Sequence, residues 1–145
     1  MPNQWMAPKD YFKRIVKPTV EEYRADRSDH HKENAVFQLS SFAERFFKYH
    51  EEHGNFVELF RTQKEKDFRQ KIFEKCAEFG LLWDAANAVK HHFPDGRTRS
   101  GAIETTATGV WDTKEYEVQD RWVTIDQAIG IVYEFWRDLV CDELD

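Results

Sequence analysis

The sequence predicts a mainly α protein: a helical bundle of about four helices with a β-hairpin inserted before the C-terminal helix, all in a single domain spanning 1–145. Three observations lead there. Apolar residues recur at three- and four-residue spacing through Ala35, Val36, Leu39, Phe42, Ala43, Phe46 and Phe47, again from Phe68 to Ala86, and again from Ile125 to Val140. Between the last two runs the period changes to alternation in a Thr-rich segment, which suits strands. With only six Gly and four Pro the chain is not loop-rich, so its bulky apolar residues, twelve of them Phe, are available to fill an interior.

Residues 1–9 are polar and are expected to form an extended arm. Pro8 suits the first turn of a helix whose apolar side is Tyr11, Phe12, Ile15 and Val16. Pro18 then either kinks that helix or leaves Thr19 to cap a second short one reaching Tyr23. Ser28-Asp29 reads as the start of the clearest amphipathic helix, which stops near His53-Gly54. Asn55 to Phe60 reads as one packed turn. A third helix of roughly 28 residues is expected to follow the polar run Arg61–Lys66, buried along Phe68, Ile72, Cys76, Phe79, Trp83 and Ala86, with Gly80 as a place to bend.

Phe93-Pro94-Asp95-Gly96 stops that helix. Ala102–Trp111 and the alternating run Tyr116, Val118, Trp122, Thr124 then predict a hairpin over about 101–125, turning at Asp112-Thr113-Lys114. Asp126 is the expected cap of the last helix, with Ile125, Ala128, Ile129, Val132, Trp136, Leu139 and Val140 inward. Acidic Glu143 and Asp145 at its C-terminal end oppose the helix dipole and favour fraying.

Composition limits the function. A net charge of −6 argues against a broad nucleic-acid or membrane footprint. The opening residues lack a signal-peptide core and no apolar run reaches about 18 residues, so no membrane role and a cytoplasmic location are expected. Cys76 and Cys141 have no CxxC partner and read as small core residues of a reducing compartment. The pairs His30-His31, His50 with His53, and His91-His92 invite a metal reading. Adjacent helical His residues point about 100° apart, however, and no HExxH pattern is present, so neither a metal nor a cofactor is expected.

The stretch with most chemistry is Phe79 to His92. Asp84, Asn87 and His91 stand at i, i+3 and i+7 and so share one helical stripe close to a helix end. A His there has its charged form favoured by the dipole, which suits an acid–base group near neutrality. Lys90, His91, His92, Arg97 and Arg99 form the densest basic cluster. Trp111, Tyr116 and Trp122 on the nearby hairpin could add stacking surfaces for RNA or an acidic partner, although any single Trp is expected in the core.

The segment Ala86-Asn87-Ala88-Val89-Lys90-His91 resembles the signature of the HEPN superfamily, in which an Arg, a polar residue, three or more further residues and a His follow one another. Asn87 matches the polar position and His91 the His. The resemblance implies a small helical bundle, often a homodimer, of the kind found as metal-independent endoribonucleases in toxin–antitoxin, phage-defence and RNA-processing systems. On that reading His91 is the acid–base group, Asn87 orients it, and Arg99 or Arg97 neutralises phosphate, with Asp84, Lys90 and His92 in the binding surface. Ala86 stands where the family has its Arg, and HEPN folds also serve as non-catalytic modules that bind RNA or protein. Two further readings stay open. In one, Asn87, His91 and Asp84 only satisfy the chain's own hydrogen bonds, Asp84 by pairing with Arg97 or Arg99. In the other, the chain is a helical scaffold that dimerises through exposed aromatics.

Overall fold

The structure, a computed structural model, describes residues 5–53, 64–91 and 115–143. Five helices and one two-stranded hairpin account for nearly all of them. The mainly α bundle with a hairpin before the last helix is the predicted class.

Helix α1 (8–25) runs in three segments: α over Pro8–Tyr11, π over Phe12–Val16 and α again over Lys17–Ala25. Pro18 has no N–H to give to the preceding turn, and its ring crowds that turn. The chain answers by widening, and the Lys17 N–H reaches the Phe12 carbonyl five residues back. Thr19 does not cap a new helix as expected; its hydroxyl donates to the Ile15 carbonyl oxygen at 2.7 Å, within a continuous helical path. Asp26 Oδ1 accepts the Ser28 N–H at 3.2 Å and Oδ2 lies 3.4 Å from His31, which closes the turn into α2.

Helix α2 (Asp29–His53) begins and ends where its sequence indicated, and buries Val36, Leu39, Phe42, Ala43, Phe46 and Phe47 along one side. Its neighbours are α1, α3 (Glu65–Lys75), α4 (Ala77–His91) and α5 (Ile125–Glu143), so it is the central rod of the bundle. At the middle of the core the fully buried Trp136 of α5 meets Phe42 at 4.9 Å, Phe46 at 6.1 Å and Phe79 at 5.9 Å between ring centres.

The expected single long third helix is two helices. Cys76 is extended (φ −146°, ψ 92°) and separates α3 from α4. The reason lies in burial: α3 needs one stripe, Phe68 and Ile72, whereas Glu78, Phe79, Gly80, Leu81 and Leu82 at the start of α4 are all buried. One straight rod would leave half of those five in water. Gly80 is not the bend. It is the point of close approach, where the Phe73 ring occupies the space of a Cβ, at 2.3 Å from where that atom would stand.

Within 115–124, where the alternation predicts one strand, the chain folds back as a hairpin of its own. Strands β1 (Glu115–Val118) and β2 (Arg121–Thr124) pair antiparallel, Glu115 opposite Thr124 and Val118 opposite Arg121, around a two-residue turn at Gln119-Asp120. Gln119 takes the positive φ of 55° that such tight turns require. The predicted strand Ala102–Trp111 and turn Asp112–Lys114 lie outside the described residues, as do Asn55–Phe60 and the stop at Phe93–Gly96.

Asp126 is not the cap of α5. Thr124 Oγ1 accepts the Gln127 N–H at 3.1 Å while Gln127 Oε1 accepts the Thr124 N–H at 2.9 Å, a reciprocal capping box. Asp126 is thereby released to face the core side, where it accepts the Tyr23 hydroxyl and pairs with the buried Lys32 ammonium at 3.3 Å. One carboxylate thus ties α1, α2 and α5 together.

Candidate functional site

The polar stripe of α4 divides in the structure. Asp84 is sealed into the core, at 2 % exposure, whereas Asn87 is half-buried and lines a cleft of about 340 Å³ between α2 and α4. Ala86, also buried, lines the same cleft and leaves room there that a larger side chain would fill. His91 is the last residue of α4. The side chains of Lys90 and His91, and all of His92, Arg97 and Arg99, lie outside the described part of the chain, as does Trp111.

Opposite Asn87, α2 supplies Ser41 and Glu44, and Phe37 and Trp83 provide aromatic wall. Neither Glu44 nor Ser41 was singled out from sequence, because nothing local to α2 indicates which turn of α4 it will face. Ser40 is already committed, donating to the Val36 carbonyl oxygen at 2.9 Å, and Gln38 Oε1 accepts the Tyr11 hydroxyl at 2.6 Å. Trp83 is held from outside the cleft by the Arg69 guanidinium, 4.8 Å from the ring centre, itself anchored by Glu65 at 2.6 Å. Among the described residues the lining holds a carboxylate and no cation. As described, it does not present the positive charge that a phosphate requires.

A second, larger concavity of about 700 Å³ lies between the hairpin and α5. Trp122, Val123, Gly130 and Ile131 form its apolar part, with Arg24, Arg121 and Glu134 around them. Trp122 is 63 % exposed, against the expectation that a given Trp lies in the core. The missed turn explains this. Had 116–124 been one strand, Trp122 would share the inner face of Tyr116 and Val118. Folded at 119–120, the register places Val123 opposite Tyr116 and Trp122 opposite Glu117, on the outer face. The same register brings Arg121 to the inner face, where its guanidinium pairs with the buried carboxylate of Glu78. Arg24 leans on the Tyr133 ring at 5.0 Å.

Burial, then the hydrogen bond and charge of Asp126, push the Tyr23 hydroxyl well above its ordinary range. Burial pushes the Cys76 thiol up to about 11, so it is no nucleophile near neutral pH; Cys141 is exposed. His50 packs inside against Phe46 at 4.6 Å and His53 lies outside on Tyr49 at 4.1 Å, so this pair does not converge. Among the described residues no group of three or more His, Cys, Asp or Glu could hold a metal ion, and no helix is long and apolar enough to cross a membrane.

Comparison with protein-family models, with curated proteins and with solved structures gave no match for this chain.

Proposed function

We propose that the chain is a HEPN-like helical module of the binding kind, which assembles as a homodimer through the groove between hairpin and α5. The resemblance around Asn87 and His91 supports that lineage and, with it, a bacterial defence or toxin–antitoxin setting. The observation that carries the binding reading is Trp122, 63 % exposed on a short hairpin beside the exposed Ile131 and an apolar groove. A large aromatic left in water beside further apolar surface marks an interface.

Charge favours a second copy of the chain over RNA. The groove is rimmed by both signs, Arg24 and Arg121 against Glu134, so one such face can oppose itself about a two-fold axis. A phosphate chain would meet a body of net charge −6 and, at the groove, a Glu134 already paired with Arg137. Of the two guanidiniums, Arg121 is already paired with Glu78. Counterion release from so few cations is small.

Light scattering and sedimentation over a concentration series test this. The parent is expected to dimerise, and Trp122→Ala and Ile131→Asp to be monomeric with unchanged circular dichroism. A parent that stays monomeric throughout the series overturns the reading. The ribonuclease alternative, with His91 as acid–base group and Asn87 beside it, predicts metal-independent cleavage of single-stranded RNA that His91→Ala abolishes.

A further inference from the structure

We propose that the cleft between α2 and α4 binds a small organic cation, a primary ammonium or guanidinium on an apolar body. The proposal does not depend on the hairpin groove or on dimerisation. It rests on four observations at one place. The cleft, about 340 Å³, is within the size range of small-ligand sites. Its acceptors come from both helices: the Glu44 carboxylate and Ser41 hydroxyl from α2, and the Asn87 amide oxygen from α4. None of these three side chains has a hydrogen bond or ion pair among the described residues, whereas Gln38 and Ser40 beside them are engaged within the fold. Phe37 and Trp83 complete the wall with aromatic surface, and Ala86 leaves its middle open.

These features select charge sign and shape together. A cation with several N–H donors satisfies a carboxylate, an amide oxygen and a hydroxyl at once, and a charge-assisted bond to Glu44 is the strongest of the three. Its apolar body lies along Phe37 and Trp83, where an aromatic wall favours both hydrocarbon and positive charge. An anion would face Glu44 with no cation among the described lining residues to offset it.

Titration of the full chain with agmatine and with phenethylamine, followed by amide chemical shifts and calorimetry, tests the proposal; acetylated phenethylamine, inorganic phosphate and adenosine monophosphate are the controls. Saturable binding of at least one cation is expected, with none of the acetylated or anionic probes. Glu44→Gln, a change at an exposed rim position, is expected to weaken it about tenfold or more, and Asn87→Leu to weaken it further. Repeating the titration with Ile131→Asp separates the cleft from assembly; affinity is expected to be unchanged. Binding of the anions in place of the cations, no saturable binding of either amine, or full affinity in Glu44→Gln would each overturn it.

Discussion

The indole N–H of Trp136 donates to the main-chain carbonyl oxygen of Leu39 at 2.9 Å, joining α5 to α2 at the centre of the core. Both residues are fully buried, and the aromatic rings of Phe42, Phe46, Phe79 and Phe135 surround the indole. Truncation therefore removes a hydrogen bond and leaves a space that flat rings fill poorly. Trp136→Ala is expected to cost about 3–5 kcal/mol in urea unfolding, and Trp136→Phe less because most of the packing survives.

Tyr23 and Asp126 set a pH dependence. The folded chain holds the Tyr23 proton above the ordinary value of 10.0, first through burial and then through Asp126. Its contribution is therefore whole below about pH 10 and is lost as pH rises through the raised value. Tyr11 and Tyr133 are also raised by burial, so stability should fall on the alkaline side in the parent. Tyr23→Phe is expected to lower stability at neutral pH by about 1–3 kcal/mol and to flatten the alkaline decline. Denaturant midpoints measured from pH 7 to 11 read both effects.

Among the described residues, the two helical glycines respond oppositely to the same change. A methyl group at Gly80 meets the Phe73 ring at 2.3 Å, and the ring is pinned edge-on against Phe79 at 5.5 Å, so Gly80→Ala should cost about 1–3 kcal/mol. A methyl group at Gly130 meets nothing within 4 Å, and Gly130→Ala should gain about 0.5–1 kcal/mol from helix propensity. Thermal unfolding at a concentration low enough to keep the chain monomeric compares the pair directly.

Arg121 shields a buried charge from one side only. Glu78 is 3 % exposed and its guanidinium partner reaches it from the open hairpin. Arg121→Ala is expected to destabilise by about 1–3 kcal/mol, the cost of leaving a buried acceptor unsatisfied, while Glu78→Gln with Arg121→Ala recovers part of that loss. A double-mutant cycle in urea supplies the coupling.

Where one helix face meets the core, the residue pattern was sufficient: the α2 stripe from Ala35 to Phe47 is buried as its spacing requires. The break at Cys76 was hidden because Ile72, Cys76 and Phe79 keep a helical spacing across it; only the burial demanded by residues 78–82 separates α3 from α4. The hairpin turn was missed because Gln119-Asp120 carries no Gly or Asn, and that one omission also placed Trp122 on the wrong face. The Thr124-to-Gln127 box was legible, but Asp126 between them looked like the better cap. Of the α4 stripe, sequence put Asp84 and Asn87 on one helix. That Asp84 would be sealed and Asn87 would meet Glu44 depends on the crossing of two helices distant in the chain.

The widened turn at Phe12–Val16 lets the fold absorb an extra residue without losing its inward-facing positions. Phe12, Val16 and Val20 fall inward at intervals of four because the path there holds more residues per turn than an α-helix. Deleting a single residue between Phe12 and Pro18 would restore ordinary winding and leave the residues after it nearly unrotated, because the widened turn holds one residue more than an ordinary turn. Val20 would keep its buried place and the Tyr23 hydroxyl its carboxylate, and the cost would be the Pro18 ring pressed on the turn before it. Substitutions at the outward-facing Lys13, Arg14 and Ile15 should be tolerated, and a shortening by one should be tolerated best when Pro18 is replaced by Ala.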